Sequence, residues 1–195
     1  MSEPHEFDRS PELMSAADTA LLVVDVQQKL IPAIRDHQRV VWNIRRLIDG
    51  AGVLGVQVLA TEQYPKGLGG TVGELAKLLG DVPEKLSFSC CGCEETARQL
   101  ESAGVHRVLV VGIESHVCVQ QTVFDLMAAG YHVYVAVDAV GSRAAIDHDT
   151  AIRRIDSGGA TVTTTEAALF EWCREAGTPE FKQISALVRE NPPEA

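Results

Sequence analysis

Five short apolar runs recur along the chain, at 20–24 (ALLVV), 56–60 (VQVLA), 108–111 (VLVV), 131–137 (YHVYVAV) and 160–164, each bounded by polar or glycine-rich residues. Continuous apolar runs of this length are what a parallel strand buried on both faces needs. A sixth, shorter extended piece lies around Lys85 and Phe88. Between the runs the period changes to that of a helix. Val40, Val41, Ile44, Leu47, Ile48 and Ala51 repeat at helical spacing, with Arg45, Arg46 and Asp49 on the other side.

Further helices are predicted over 74–79, over 95–103 with Gly104 as terminator, from about His116 to Ala129 with Gly130 after it, within the stretch that follows Asp138, and over 166–174. A last helix is predicted from Thr178 as N-cap and Pro179 at the first position, carrying Phe181, Ile184, Leu187 and Val188 on one face, an apolar surface that suggests a subunit contact. Strands alternating with helices predict an α/β fold: a six-stranded parallel sheet with helices on both faces, in three layers. No repeat or linker divides the chain, so 1–195 reads as a single domain, with the polar residues 1–18 as a loose arm able to pack on a neighbouring subunit.

Composition narrows the function. With 195 residues and 46% hydrophobic content the chain can build one sizeable core. A formal charge of −10 opposes non-specific attraction to nucleic acid or anionic membranes. No run reaches the roughly 20 apolar residues of a membrane span. The first residues have neither the basic start nor the apolar stretch of a signal peptide, so a cytoplasmic protein is expected. Five cysteines, an odd number, fit free thiols better than a disulfide framework.

In open parallel sheets ligands bind beyond the carboxyl ends of the strands, where strand order reverses. Asp25, Lys85 and Cys118 follow the first, third and fourth predicted strands, so all three can meet at one edge. An acid, a cation and a thiol there make a nucleophilic site: Asp25 accepts the thiol proton and later returns it, Lys85 holds negative charge, and Cys118 attacks a carbonyl carbon. The lysine and the expected helix N-terminus would both lower the thiol pKa. Each residue also has a plain reading, Asp25 as a turn former, Lys85 as a surface charge and Cys118 as a small buried hydrophobe. Leu30, Tyr64, Phe88 and Val117 are the expected lining of the pocket and suit a small, largely uncharged ligand.

The motifs LLVVDVQQKL around Asp25, EKLSFS around Lys85 and GIESHVCVQQT around Cys118 stand in the order found in one family. On them the sequence resembles the isochorismatase-like cysteine hydrolases, which include nicotinamidases, carbamoylases and ureide amidases, over roughly residues 19–168. TEQYPKGLG and GIESHVCVQQT look most like the isochorismatase-domain-containing branch, whose substrates are poorly defined. The resemblance implies a Rossmann-like fold, Asp25, Lys85 and Cys118 as catalytic triad, and a cis peptide between Ile113 and Glu114. It also implies an oxyanion hole made by the backbone amides of Glu114 and Cys118. The activity so implied is cofactor-free hydrolysis of a small amide or related C–N bond through a thioester on Cys118, in a homo-oligomer (dimer or tetramer). Metal-dependent nicotinamidases carry an aspartate and histidines in the loop that here reads TEQYPKGLGG, so no metal is expected and nicotinamide is disfavoured. Cys118 itself argues against cleavage of isochorismate.

Other features are weaker. Cys90, Cys91 and Cys93 form a CCxC cluster without the second ligand pair that structural zinc requires, and read as thiols at the pocket rim. His116 reads as pocket lining or a hydrogen bond in the turn, and His132 and His148 give no constellation. Against the hydrolase stand a non-catalytic binding or scaffold protein that keeps the fold, and a thiol redox sensor using the CCxC cluster.

Overall fold

The computed structural model describes residues 8–193. Six parallel strands, β1 (Thr19–Val24), β2 (Gln57–Gln63), β3 (Glu84–Lys85), β4 (Arg107–Ile113), β5 (His132–Gly141) and β6 (Thr161–Thr163), form one sheet in the order β3-β2-β1-β4-β5-β6. All six residues of β1 are buried, as its unbroken apolar run requires. Its side chains part to two faces by the period of two. Leu21 and Val23 join Leu109, Val111, Tyr134 and Ala136 on one face, while Ala20, Leu22 and Val24 join Val108, Val110, Val133 and Val135 on the other.

The first face is covered by α1 (His37–Leu54), α3 (Gly73–Leu79), α7 (Thr165–Cys173) and α8 (Pro179–Val188), after a single turn α2 (Pro65–Leu68). The second is covered by α4 (Glu94–Ala103), α5 (Gln120–Ala128) and α6 (Ala145–Ser157). In α1 the predicted stripe from Val40 to Ala51 is buried against the sheet. Thr178 caps α8 as expected, its Oγ1 accepting the Phe181 amide at 3.0 Å.

Three expectations need correction. Residues 1–7 of the expected arm lie outside the described residues, but 8–18 are not loose: the Met14 side chain is fully buried, its amide donates to Glu171 at 2.8 Å, and Arg9 donates to the Glu171 carbonyl at 2.7 Å. A polar stretch is held there by hydrogen bonds that hydropathy does not reveal. The apolar face of α8, expected at a subunit contact, packs on its own chain, with Ile184 buried and Arg46 Nε donating to the Leu187 carbonyl at 3.0 Å. Finally, β5 runs on past Asp138 to Gly141, because a register shift opposite Gly112 lets pairing resume at Val140.

Candidate active site

Strand order reverses between β1 and β4, and their carboxyl ends frame the crevice where open α/β sheets bind ligands. Asp25 leaves β1 with φ 53°, its amide donating to the Thr61 carbonyl at 3.1 Å on β2. This left-handed step ends the strand and keeps the carboxylate inside, fully buried. Lys85 starts two strands away and its stem reaches inward. Its Nζ donates to Asp25 Oδ2 at 2.7 Å, Gln63 Oε1 at 2.8 Å, the Phe88 carbonyl at 2.9 Å and the Ser87 carbonyl at 3.2 Å. A buried ammonium is tolerable when oxygens surround it, and here one of them carries charge.

Cys118 comes from the other side of the reversal. Gly112, at φ 115°, brings β4 so close to β1 that an added Cβ would lie 2.1 Å from the Val24 carbonyl oxygen. The chain then passes through a cis peptide between Ile113 and Glu114 and a wide π-helical turn, Ser115–Val119, before α5 begins. Cys118 therefore sits in this wide turn and not in the first turn of an α-helix, where it was expected. It lies close enough to Asp25 for the two groups to influence each other electrostatically, and the Asp25 carboxylate accepts from Thr61 Oγ1 at 2.9 Å. The structure thus brings Asp25, Lys85 and Cys118 together.

The electrostatics differ from expectation. Burial raises the Asp25 pKa above the usual carboxylate value, with Lys85, Cys118 and Thr61 opposing it. Burial also raises the Cys118 pKa well above that of a free thiol, and the neighbouring Asp25 charge raises it further. Lys85 opposes this rise but does not overcome it. The resting site is an Asp25–Lys85 ion pair near a neutral thiol, in place of the lowered thiol pKa that was expected.

Among the proposed lining residues, Tyr64 and Phe88 are about half exposed and flank Lys85: the Tyr64 amide donates to the Lys85 carbonyl at 2.9 Å, and the Phe88 carbonyl accepts from Nζ. Leu30 packs against the core on the α1 side and Val117 against the core on the α5 side. They stand on opposite faces of the sheet. A cavity of about 320 Å³ lies at the same sheet edge but beside β5, between Arg39, Ser142 and His148, and none of the three triad residues lines it.

Several supporting residues escape a reading by motif. Thr61 and Gln63 alternate at the end of β2, where a polar pair in an otherwise buried strand is the available signal. Gln27 locks the site from beneath, accepting the Gln63 amide at 2.8 Å and donating to the Gln63 carbonyl at 3.0 Å. Arg143 donates through its amide and Nε to the Glu114 carboxylate, at 3.2 and 2.9 Å, giving that side chain a partner 29 residues away. His116 bonds Ser142 through Nδ1 at 3.1 Å, and His148 bonds Ser115 Oγ at 3.0 Å, so both rings brace the turn. Cys90 is buried with its Sγ 3.3 Å from Thr61 Oγ1, while Cys91 is half-buried; all five cysteines are free. Among the described residues no group of three His, Cys, Asp or Glu side chains is placed to hold a metal ion, and no helix is long and apolar enough to cross a membrane.

The chain is similar in sequence to isochorismatase domain-containing protein 1 of Danio rerio, at 37% identity over 186 residues, which is 93% of this chain and 65% of the relative. The chain thus spans less than two thirds of that protein. It is 38% identical over 180 residues to the secreted isochorismatase effector Isc1 of Phytophthora sojae, covering 89% of this chain and 85% of the effector. A solved structure described as the MAR1 ribonuclease of Caenorhabditis elegans has 37% identity and a TM-score of 0.87, over 93% of this chain and 95% of that one. The isochorismatase domain model matches residues 19–167, the span that holds every strand and all of Asp25, Lys85 and Cys118, and the chain belongs to the isochorismatase domain family.

Proposed function

We propose that the chain is a cofactor-free hydrolase that cleaves a small neutral amide, or a related C–N bond, through a thioester on Cys118. The observation that carries this reading is the buried Asp25–Lys85 pair with Cys118 close to its carboxylate, at the reversal of strand order. A raised pKa makes Asp25 a stronger base than an exposed carboxylate once it is ionised. It takes the thiol proton as sulfur attacks the carbonyl carbon. The backbone amides of Glu114 and Cys118 receive the oxyanion. Asp25 then gives the proton to the departing nitrogen as the C–N bond breaks, and takes one from the water that cleaves the thioester. The thiol and carboxylate are restored, and Lys85 keeps its charge throughout.

Tyr64 and Phe88 form the mouth in this proposal, with Leu30 and Val117 on its two walls. A neutral substrate fits because Lys85, the cation beside the thiol, already faces four oxygens. The exposed Leu86 and Phe88 beside the edge strand β3 support a homo-oligomer in which a second copy covers this mouth. Free cysteines throughout support a cytoplasmic setting.

The decisive experiment is a screen of small amides and ureides for ammonia or amine release, with Cys118→Ala as the blank. Release that depends on Cys118 is expected; release that persists in Cys118→Ala overturns the mechanism. The 37% identity to a structure described as a ribonuclease favours one competing reading. The charge of −10 and the enclosure of Lys85 oppose phosphodiester binding. RNA cleavage by the purified protein, lost in Cys118→Ala, would replace the amide reading.

A further inference from the structure

Regular pairing between β4 and β5 ends at Ile113 opposite Gly141. Beyond that pair, side chains continue the connection. Arg143 donates through Nε and its amide to Glu114 Oε1, Ser142 Oγ lies 3.1 Å from His116 Nδ1, and His148 Nδ1 lies 3.0 Å from Ser115 Oγ. Three successive residues, Glu114, Ser115 and His116, are thus tied to the segment between β5 and the first turns of α6. The turn they begin has no side-chain cap of its own. Its start is instead fixed by the Glu114 carbonyl, which accepts from the amides of Val117 and Val119 at 3.1 and 3.2 Å, the two residues flanking Cys118. The position of Glu114 therefore governs the position of Cys118.

We propose that Arg143 is a positioning residue for the Cys118 nucleophile: through Glu114 it holds the catalytic turn from the β5 side, and so sets the approach of the thiol to Asp25 at the end of β1. The role rests on Cys118 being the nucleophile of the proposed hydrolysis, and Arg143 acts only through Glu114. The pair is unequal, the Glu114 side chain being 10% exposed and that of Arg143 63% exposed. An ion pair with so exposed a partner adds little stability. What it adds is direction, because a charge-assisted bond from the planar guanidinium is geometrically demanding, and here Nε and the amide of one residue converge on one oxygen. Direction matters at this place: a general base works only within hydrogen-bond reach of the proton it takes.

The test follows alkylation of Cys118 by iodoacetamide, with buried Cys90 as the control in the same sample, by peptide mass spectrometry. Native protein is compared with Arg143→Ala, Arg143→Lys, Glu114→Ala and the double variant Glu114→Ala with Arg143→Ala. Arg143→Ala is expected to slow Cys118 by roughly tenfold while Cys90 stays as slow as in native protein. Arg143→Lys, which keeps a charged donor, should fall between the two, and the double variant should be no slower than Glu114→Ala alone. A merely structural role predicts the opposite direction, since loosening the fold speeds Cys90 and Cys118 together. The positioning role is overturned by that joint acceleration, by a fast native Cys118 that Arg143→Ala leaves unchanged, by an Arg143→Lys no better than Arg143→Ala, or by losses that simply add in the double variant. A native Cys118 no faster than the other four thiols overturns the hydrolase reading, and the positioning role with it.

Discussion

Replacing Lys85 by Met keeps most of the stem and removes the charge. Four oxygens then lose their donor, and one belongs to a carboxylate with no exposed surface. Removing one partner of a buried ion pair costs about 3–5 kcal/mol. Asp25 limits that cost by taking up a proton, which gives the effect a pH signature. Its pKa is already raised in the native protein by burial, and losing Lys85 removes the main opposing influence. A carboxyl with a raised folded pKa contributes stability that is fully present below its unfolded value, near 3.8, and is lost as pH rises through the folded pKa. The deficit of Lys85→Met relative to the native protein should therefore be small at about pH 5 and grow by up to about 1.4 kcal/mol per pH unit towards neutrality. Urea unfolding of both proteins across that range, with intact-mass checks of Cys118 alkylation at each pH, measures it. A deficit below about 1 kcal/mol at neutral pH, or one independent of pH, refutes the view that Lys85 is what keeps Asp25 ionised in a sealed site.

Other residues give sharper, smaller tests. Gly112→Ala forces a Cβ to 2.1 Å from the Val24 carbonyl at φ 115°, and should cost at least about 2 kcal/mol in urea unfolding and slow Cys118 alkylation with it. Thr61→Val removes a hydrogen bond to a buried carboxylate and should cost about 1–3 kcal/mol, visible in the same unfolding curves. Burial lowers the His148 pKa below its usual 6.5, so the unfolded chain binds that proton more readily and stability should fall as pH drops from about 6.5 through the folded pKa. His148→Gln should flatten that fall in thermal melts; an unchanged slope would assign the pH dependence elsewhere.

Much of this architecture is legible in the order of residues because the central strands announce themselves twice, by an apolar run and by the residue that ends it. ALLVV stops at Asp25, and VLVVGI leads into the turn that holds Cys118, so fold and candidate triad emerge from the same reading. What is not legible depends on distance in space. The electrostatic direction at Cys118 could not be read from spacing: Lys85 does pull the thiol pKa down, but burial and the Asp25 charge, neither visible in the spacing, outweigh it. Arg143, just past the end of β5, reaches Glu114 at the end of the neighbouring β4, and Thr61 reaches Asp25 across a strand pair; both contacts depend on register. Residues 8–18 carry no periodicity, yet they dock through Arg9 and Met14 onto Glu171 of α7, a contact between chain ends.

The central claim is that Asp25 activates a Cys118 thiol that is neutral at rest. Iodoacetamide is a small neutral amide, so the rates at which it alkylates each of the five cysteines, compared between native protein and Asp25→Asn by peptide mass spectrometry, test the claim most directly. The account predicts that native Cys118 reacts fastest although Cys91 and Cys173 are more exposed, and that Asp25→Asn drops it to the level of buried Cys90. A Cys118 that reacts no faster than the other four, or that is indifferent to Asp25→Asn, would contradict it.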